Sequence, residues 1–454
     1  MGGILLAPTH AAAEEAGFRQ DLNSLLTPFT MRVELHILQN FPPANLNRDD
    51  TGSPKDCEFG GERRARVSSQ CIKRSVRMHP SFAETLGQAI GVRTKRAAEH
   101  IEKRLAGSHG LEDDHARILA RAALGTLLSD VDADGKTSVL FYAAPAELDE
   151  LADRLATAYH DGLRAQVEAA ASAPTEPADD APAEEEAKPK KRGKKESGDP
   201  LKAALKGVVD DFVRFARGQA RAVDVALFGR MLAERPELNL EAACQVAHAI
   251  STNRLAMEFD YFTAVDDLNP GEETGAGMIG STGFNASCFY RYAVVDVDAL
   301  ARRLSGVSDD EPPSKAGLDL ARDGVRAFLE ASVRAIPTGK QNSTAPQARP
   351  DFVMTVVRDG QDAPMSLVNA FEKPVAPSNG LGLVGASVDA LDGYWQRLTA
   401  MYDDAPVAIH LASTHADTLK TLKEYNRGSV KQVIEATLKA LDGTAVDSGA
   451  EEAR

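Results

Sequence analysis

The sequence predicts an α+β fold, in which a ferredoxin-like sheet carries a large helical insertion. Three observations predict it. Runs with strand character, MRVELHIL (31–38), NASCFYRYAVVDV (285–297), DFVMTVV (351–357) and PVAIHLAS (406–413), are spread along the chain. Helical segments separate them without strict βαβ repetition. Residues 81–170 carry Ala, Leu, Glu and Arg mostly at helical spacing, and they form the insertion. At 454 residues, 43% hydrophobic and 26% charged, the chain has the make-up of a globular protein of about two or three domains.

The elements follow in order. Residues 1–30 lack a basic stretch ahead of the short run ILLA, so they do not read as a signal peptide. They are either a short disordered extension or lie upstream of a true start at Met31. From Arg32 to Leu38, Val33, Leu35 and Ile37 share one face of a strand. The polar segment NFPPANLNRDDTGSPKD (40–56) reads as a loop, and loops of this length are usually functional or disordered. A short strand is expected at Arg66–Ser68. Ser68 or Ser69 then caps a helix to about Met78.

The strand-like TSVLFYA (137–143) interrupts the helical insertion. Residues 171–200, ASAPTEPADDAPAEEEAKPKKRGKKESGDP, have almost nothing apolar beyond Ala and Pro, with acids first and bases second. This composition predicts a disordered segment, either a solvated tether or one whose KPKKRGKK run touches nucleic acid. Helix resumes from Pro200 to about Gly218. VDVALFGRM (223–231) reads as a strand followed by a turn. Further helices are expected from Asp298 and over 313–334, 385–402 and 416–441.

The four cysteines have no CxxC spacing and the ten histidines form no HxxxH pair. These observations argue against a zinc site or a disulfide framework and predict reduced thiols in a cytosolic protein. No apolar run approaches the ~20 residues of a membrane helix. Gly275-Ala-Gly277-Met-Ile-Gly280 fits G-x-G-x-x-G, but a loop precedes it and a strand follows, so it reads as a glycine loop and not a dinucleotide site. Asp49 and Asp50 can be drawn as ligands for a hard cation in phosphodiester cleavage, or as Asx turns and arginine partners. No nucleophile signature appears, and no cofactor is implied.

The formal charge is −15, which argues against wholesale nucleic-acid binding. Yet FGGERRARVSSQCIKRSVR (59–77) carries six bases and one acid, 6 − 1 = +5. In a helix, Lys73 and Arg77 share a face with Arg74 beside them, while Ile72 and Val76 dock inward. The helix N-terminus with Ser68, Ser69 and Gln70 offers donors to a phosphate. Arg63 and Arg64 point opposite ways in a strand, so not both reach one ligand. The alternative is a solvated helix making surface ion pairs.

LNRDDTGSPKDCEFGGERRARVSSQCIKRSVR (46–77) resembles the CasC family, the backbone subunit of the type I-E CRISPR surveillance complex, Cascade. In order along the chain, VDVALFGRM (223–231), AHAIST (247–252), DYFTAVDDL (260–268), FYRYAVVDV (289–297), GKQNSTAP (339–346) and MSLVNAFEKPV (365–375) also match. The resemblance implies a hand-like subunit: a modified RRM-like (ferredoxin-like) palm, helical fingers and a thumb loop. The palm would comprise 31–80, 221–252 and, with C-terminal helices, 285–454. The fingers would span 81–220 and the thumb 253–284. Copies would stack head to tail along a CRISPR guide RNA, with other Cascade subunits, and expose its bases to target DNA. The subunit would be non-catalytic and cytoplasmic, with no membrane contact. A metal-dependent ribonuclease acting on RNA paired to the guide is the alternative.

Carried over by motif, the guide contacts would be Arg48, Lys55, Arg63 or Arg64, Ser68, Gln70, Lys73, Arg74, Arg77 and Lys340. Met231 would wedge against displaced bases, and Tyr261 and Phe262 would stand near the thumb base. For these three apolar residues, core packing is the competing reading. The chain lacks the RNP1 pattern, so base stacking on a sheet platform is not implied. Phosphate contacts give affinity without sequence preference, which suits a guide of variable sequence.

Overall fold

The structure, a computed structural model, describes residues 31–129, 131–172, 200–264, 278–308, 310–360, 362–378 and 380–442. The expected extension at 1–30 and most of the expected disordered segment, 173–199, lie outside these. The described residues divide into two units: those up to 85, between 244 and 302 and from 310 on form one, and those between 86 and 243 and at 303–308 the other.

The first unit opens with β1 (Met31–Ala44), β2 (Asp56–Phe59), β3 (Glu62–Val67) and α1 (Ser69–Arg77); α2 (Pro80–Leu86) follows at its boundary. The second unit contains β4 (Val92–Thr94), α3 (Ala97–His109), α4 (Asp113–Leu128), β5 (Phe141–Ala143), α5 (Pro145–Ala158), α6 (Arg164–Ala171), α7 (Pro200–Ala216) and α8 (Val223–Phe228). The chain then returns with β6 (Cys244–Val246), β7 (Ala249–Ser251), β8 (Glu258–Ala264), β9 (Met278–Asp296) and α9 (Val297–Ser305). It ends with α10 (Lys315–Arg334), α11 (Gln341–Thr344), β10 (Phe352–Asp359), α12 (Leu383–Tyr402), β11 (Ala408–Ser413) and α13 (Val430–Leu441). The expected α+β class holds.

In the first unit the strands run in the order β11-β10-β1-β9-β7-β3-β2, with β6 and β8 also paired to β9. All pairings between these strands are antiparallel. Strand β1 lies between β10 and β9, so Leu35 faces both Thr355 and Ala293. Helix on both faces explains why β1 is buried almost throughout. Leu35 and Ile37 meet Ile72 of α1 and Phe328 of α10 on one side. On the other, Leu38 and Tyr290 pack with Val388, Leu391 and Trp395 of α12.

Glu34 and His36 of β1 are buried on the same face of the strand as Leu38. Glu34 accepts from Arg358 Nε at 3.0 Å and from the Met365 N–H at 2.6 Å. Arg358 also donates to both Asp404 oxygens, at 2.6 and 2.8 Å. His36 bonds the Tyr290 hydroxyl at 2.8 Å, and that hydroxyl accepts from the Leu367 N–H at 2.9 Å. Burial would raise the Glu34 carboxyl; His36, Arg358 and the Met365 amide outweigh it and hold the group below its usual range. The network thus ties MSLVNAFEKPV to the sheet.

The C-terminal segment departs from its expected course. Residues 416–441 do not form one helix: short 3₁₀ turns occupy Ala416–Thr418 and Leu422–Tyr425, and helix begins only at Val430. Buried Asp392 accepts from the N–H groups of Lys420, Thr421 and Leu422, and these bonds hold the chain out of helix. Gly428, at φ 78°, makes the final turn.

His410 in β11 is buried, and desolvation together with the Arg427 charge lowers its imidazole to about 4. The folded protein therefore holds His410 neutral while the unfolded chain binds a proton near pH 6.5. Its contribution is present above pH 6.5 and lost as pH falls toward 4, on the order of 3 kcal/mol in all. Urea midpoints measured across that window should drop, and His410→Gln should flatten this part of the profile.

In the second unit, α3, α4, α5 and α7 pack Ile101, Leu105, Leu119, Leu124, Leu148, Leu155, Leu205 and Phe212 into one core. Here VDVALF is a helix and not the expected strand. Five of its six residues are buried. A run buried on nearly every side has no amphipathic period to separate helix from strand. The expected boundary also moves: 221–243 belong to this helical unit, not with the sheet. The Val223 N–H donates to Ala89 C=O at 2.8 Å, and Asp224 accepts from the Gly91 N–H at 2.6 Å.

Candidate nucleic-acid interface

The loop between β1 and β2 is ordered by its own polar side chains. Asp49 Oδ1 accepts from the Thr51 N–H, the Thr51 hydroxyl and the Ser53 N–H, all within 2.9 Å. These bonds, the Thr51 hydroxyl first, hold the Asp49 carboxyl below its usual range. Asp49 is therefore a turn-former. Among the described residues, no three His, Cys, Asp or Glu side chains cluster as metal ligands. Asn45 Nδ2 binds Gly52 C=O and Gly283 C=O, fixing the loop to the far end of β9. Asn47 Oδ1 accepts from the Ser68 N–H, fixing it to the start of α1.

Helix α1 forms as its spacing predicts. Ser68 is the N-cap; its hydroxyl accepts from the Cys71 N–H at 3.3 Å. Ile72 and Val76 are buried. Gln70 and Arg74 are exposed on the opposite stripe, with Lys73 and Arg77 half-buried beside them. Two donors expected to meet a phosphate are already engaged: the Cys71 amide by Ser68, and the Ser69 amide by His248 Nδ1 at 3.1 Å. Ser68 is a cap, buried and committed to the helix. The side chains, not the helix terminus, present the site.

His248, in AHAIST, is a residue that sequence reasoning missed. It accepts the Ser69 N–H on Nδ1, which leaves Nε2 as the donor. Burial, then the Arg66 and Lys55 charges, hold its imidazole below the usual range. The charges of Lys55 and Arg74 reach Cys71, and that of Lys73 reaches Cys244. The Arg66 N–H bonds the Lys55 carbonyl at 2.9 Å on the strand that leads into α1, and Lys73 and Arg74 stand on the helix itself. Arg48 is exposed on the adjoining loop.

The two arginines of β3 separate. Arg63 is solvent-facing and pairs with Asp56 at 2.5 Å. Arg64 is fully buried. Its guanidinium donates to the carbonyls of Ser251, Thr252, Phe371 and Glu372 at 2.7–3.2 Å. Arg64 is therefore corrected from a candidate phosphate contact to a structural cation, because it is buried and four internal carbonyls occupy its two terminal nitrogens. It fastens MSLVNAFEKPV to the β2–β3 hairpin. The hairpin turn, Gly60–Gly61, has φ 61° and 75°, as a two-residue turn of this hand requires. A Cβ at Gly60 would stand 1.9 Å from Glu372 C=O, so only glycine fits.

Lys340 is half-buried, with φ 49°. Its neighbour Gly339 lies against the Asn45 and Leu46 carbonyls, where a Cβ would come within 2.5 Å. That contact places the GKQ turn beside the base of the basic loop.

The apolar candidates are not core. β8 pairs with residues 278–284 of β9 as a ribbon, and every residue of β8 is exposed. Tyr261 is 77% exposed. Phe262 covers Gly280, whose absent Cβ would meet its ring. Residues 265–277, with Gly275 and Gly277, lie outside the described residues. In the helical unit Met231 is 86% exposed. Buried Arg230, bonded to Glu147 at 2.8 Å and to the Leu238 and Tyr142 carbonyls, holds the backbone from which Met231 emerges.

The four cysteines are free thiols, and burial raises those of Cys244 and Cys288 to about 12. Among the described residues, no helix is long and apolar enough to cross a membrane.

A chain of a solved structure titled "CRISPR RNA-guided surveillance complex, pre-nicking" is 32% identical to this one. The match covers 90% of this chain and 99% of that one, with a TM-score of 0.68. A chain of a second, titled "CRISPR RNA-guided surveillance complex", shares the fold at 24% identity and a TM-score of 0.51, with the same coverage. No curated protein matches the sequence. A family model, CT1975-like protein, spans residues 33–439. The chain is thus a Cas protein of the CT1975-like family, the kind of membership its motifs implied.

Proposed function

We propose that this chain is the guide-RNA-binding backbone subunit of a CRISPR surveillance complex of type I-E, working in the cytoplasm without catalysing a reaction. The observation that carries the reading is the basic side of α1, with Lys73, Arg74 and Arg77 opposite buried Ile72 and Val76, next to Lys55 and Arg66 at the entry to the helix. Cations so placed grip phosphates without reading bases. The family match and the relative's title supply the context of a multi-subunit, RNA-guided assembly. In this reading the sheet unit is the RRM-like palm, the helical unit the fingers, and the β8–β9 ribbon the thumb. Tyr261, on the exposed ribbon, reaches outward to the strand or to the next copy. Further copies join head to tail, a contact that generates an open helix. Sequence recognition of target DNA passes to the guide's bases.

The test is recovery of nucleic acid from the purified full chain. RNA of mixed sequence, on the order of 60 nucleotides for a guide with ~20 pairing bases and its flanks, supports the proposal. Protein free of RNA that also fails to take up added single strands overturns it.

A further inference from the structure

A second basic surface lies away from the α1 N-terminus. Helices α10 and α13 and the residues before β10 enclose a cavity of about 320 Å³. Arg326, Arg334, Arg349 and Lys431 line it, with Glu330 and Glu435, a balance of 4 − 2 = +2. Each glutamate sits beside a cation of its own helix: Glu330 is 3.9 Å from Arg334 and Glu435 3.8 Å from Lys431. Arg326 and Arg349 have no ion-pair partner among the described residues.

The cavity adjoins α1: Arg334 lines it, and the next residue, Ala335, shares a hollow with Ile72 and Ser75 of α1. His79 follows α1 directly, and after burial it is the charges of Arg334 and Arg349 that lower its imidazole. Helix α10 supplies Phe328 and Ser332 against Ile72 of α1, and Arg334 follows on the same helix. Arg349 ends the segment that begins with Lys340. Cations thus run from Arg74 and Arg77, past His79 and Arg334, to Arg326 and Arg349.

We infer that this cleft holds the phosphodiester backbone of single-stranded nucleic acid, extending the track beyond the α1 contacts. The inference rests on the RNA-binding reading above. Guanidinium groups free of carboxylates suit phosphate oxygens in paired contacts. Val333 and Ile434 add an apolar wall for ribose and base.

The test uses the full chain and long and short single-stranded RNAs of unrelated sequence. For the long RNA, Arg326→Ala with Arg349→Ala should lower the log–log salt slope by about 1.4, from about 0.7 per phosphate on single strands. Short RNA that fills only the α1 contacts should bind as before. An unchanged slope on long RNA, while Lys73→Ala with Arg74→Ala still weakens binding, overturns the cleft alone. Loss in neither variant overturns both readings. If the double variant does not fold, Arg349→Glu, at an exposed position, takes its place with the same two outcomes. A photocrosslinker at position 431 in the assembled complex separates the occupants. Adducts with nucleic acid support the inference; adducts only with an acidic protein segment overturn it.

Discussion

Replacing Lys73 and Arg74 together by alanine should weaken single-stranded RNA binding about a hundredfold near 0.1 M salt, whatever the sequence. Roughly tenfold, or 1.4 kcal/mol, is assigned to each cation. The log–log salt slope should fall by about 1.4. The helix itself should survive, since alanine is the strongest helix former and buried Ile72 and Val76 and the Ser68 cap are untouched. Filter binding over a salt series reads the affinity, and circular dichroism checks the fold. A sequence-dependent loss would mean that these side chains read bases. Full binding with an unchanged slope would remove α1 from the interface.

Arg358→Ala should destabilise the sheet unit by about 3–5 kcal/mol, because it leaves the buried Glu34 carboxylate without its guanidinium. Asp404, also nearly buried, loses the same partner. Replacing Arg358 and Glu34 together by leucine should recover much of that loss, since apolar groups of similar volume need no counter-charge. The Glu34 carboxyl is held below its usual range. Its contribution is therefore present above the unfolded pKa of about 4.3 and disappears as pH falls through the lower folded value. Urea unfolding at neutral pH measures the loss; a change under about 1 kcal/mol would show that the network is not a structural tie.

Much of the interface was legible. Helix α1 followed from the 3.6-residue spacing of Ile72 and Val76, and of the two serines offered as its cap the fold uses Ser68. For Asp49 the sequence offered an Asx turn beside a cation ligand, and the bonds from Thr51 and Ser53 decide for the turn. The Arg63 and Arg64 alternation was legible too, but not its sense. Which arginine turned inward depended on carbonyls of residues 251, 252, 371 and 372, remote in sequence. His248 was missed for the same reason: its partner, Ser69, lies 179 positions away. AHAIST marked the segment without saying which atom mattered. VDVALF was misread because burial on all sides erased its period. For Tyr261 and Phe262 the sequence left a place near the thumb base and core packing both open, and the exposure of β8 along its whole length removes the core.

The central claim, a backbone subunit that copies itself along one RNA, is tested most directly by the mass of the purified chain with and without a single-stranded RNA of roughly 60 nucleotides, the guide length expected above. The account predicts a discrete multi-copy particle that forms only with RNA, regardless of sequence, and shrinks when the RNA is shortened. A particle with one protein per RNA at every length, or a multimer whose size ignores RNA, would contradict it.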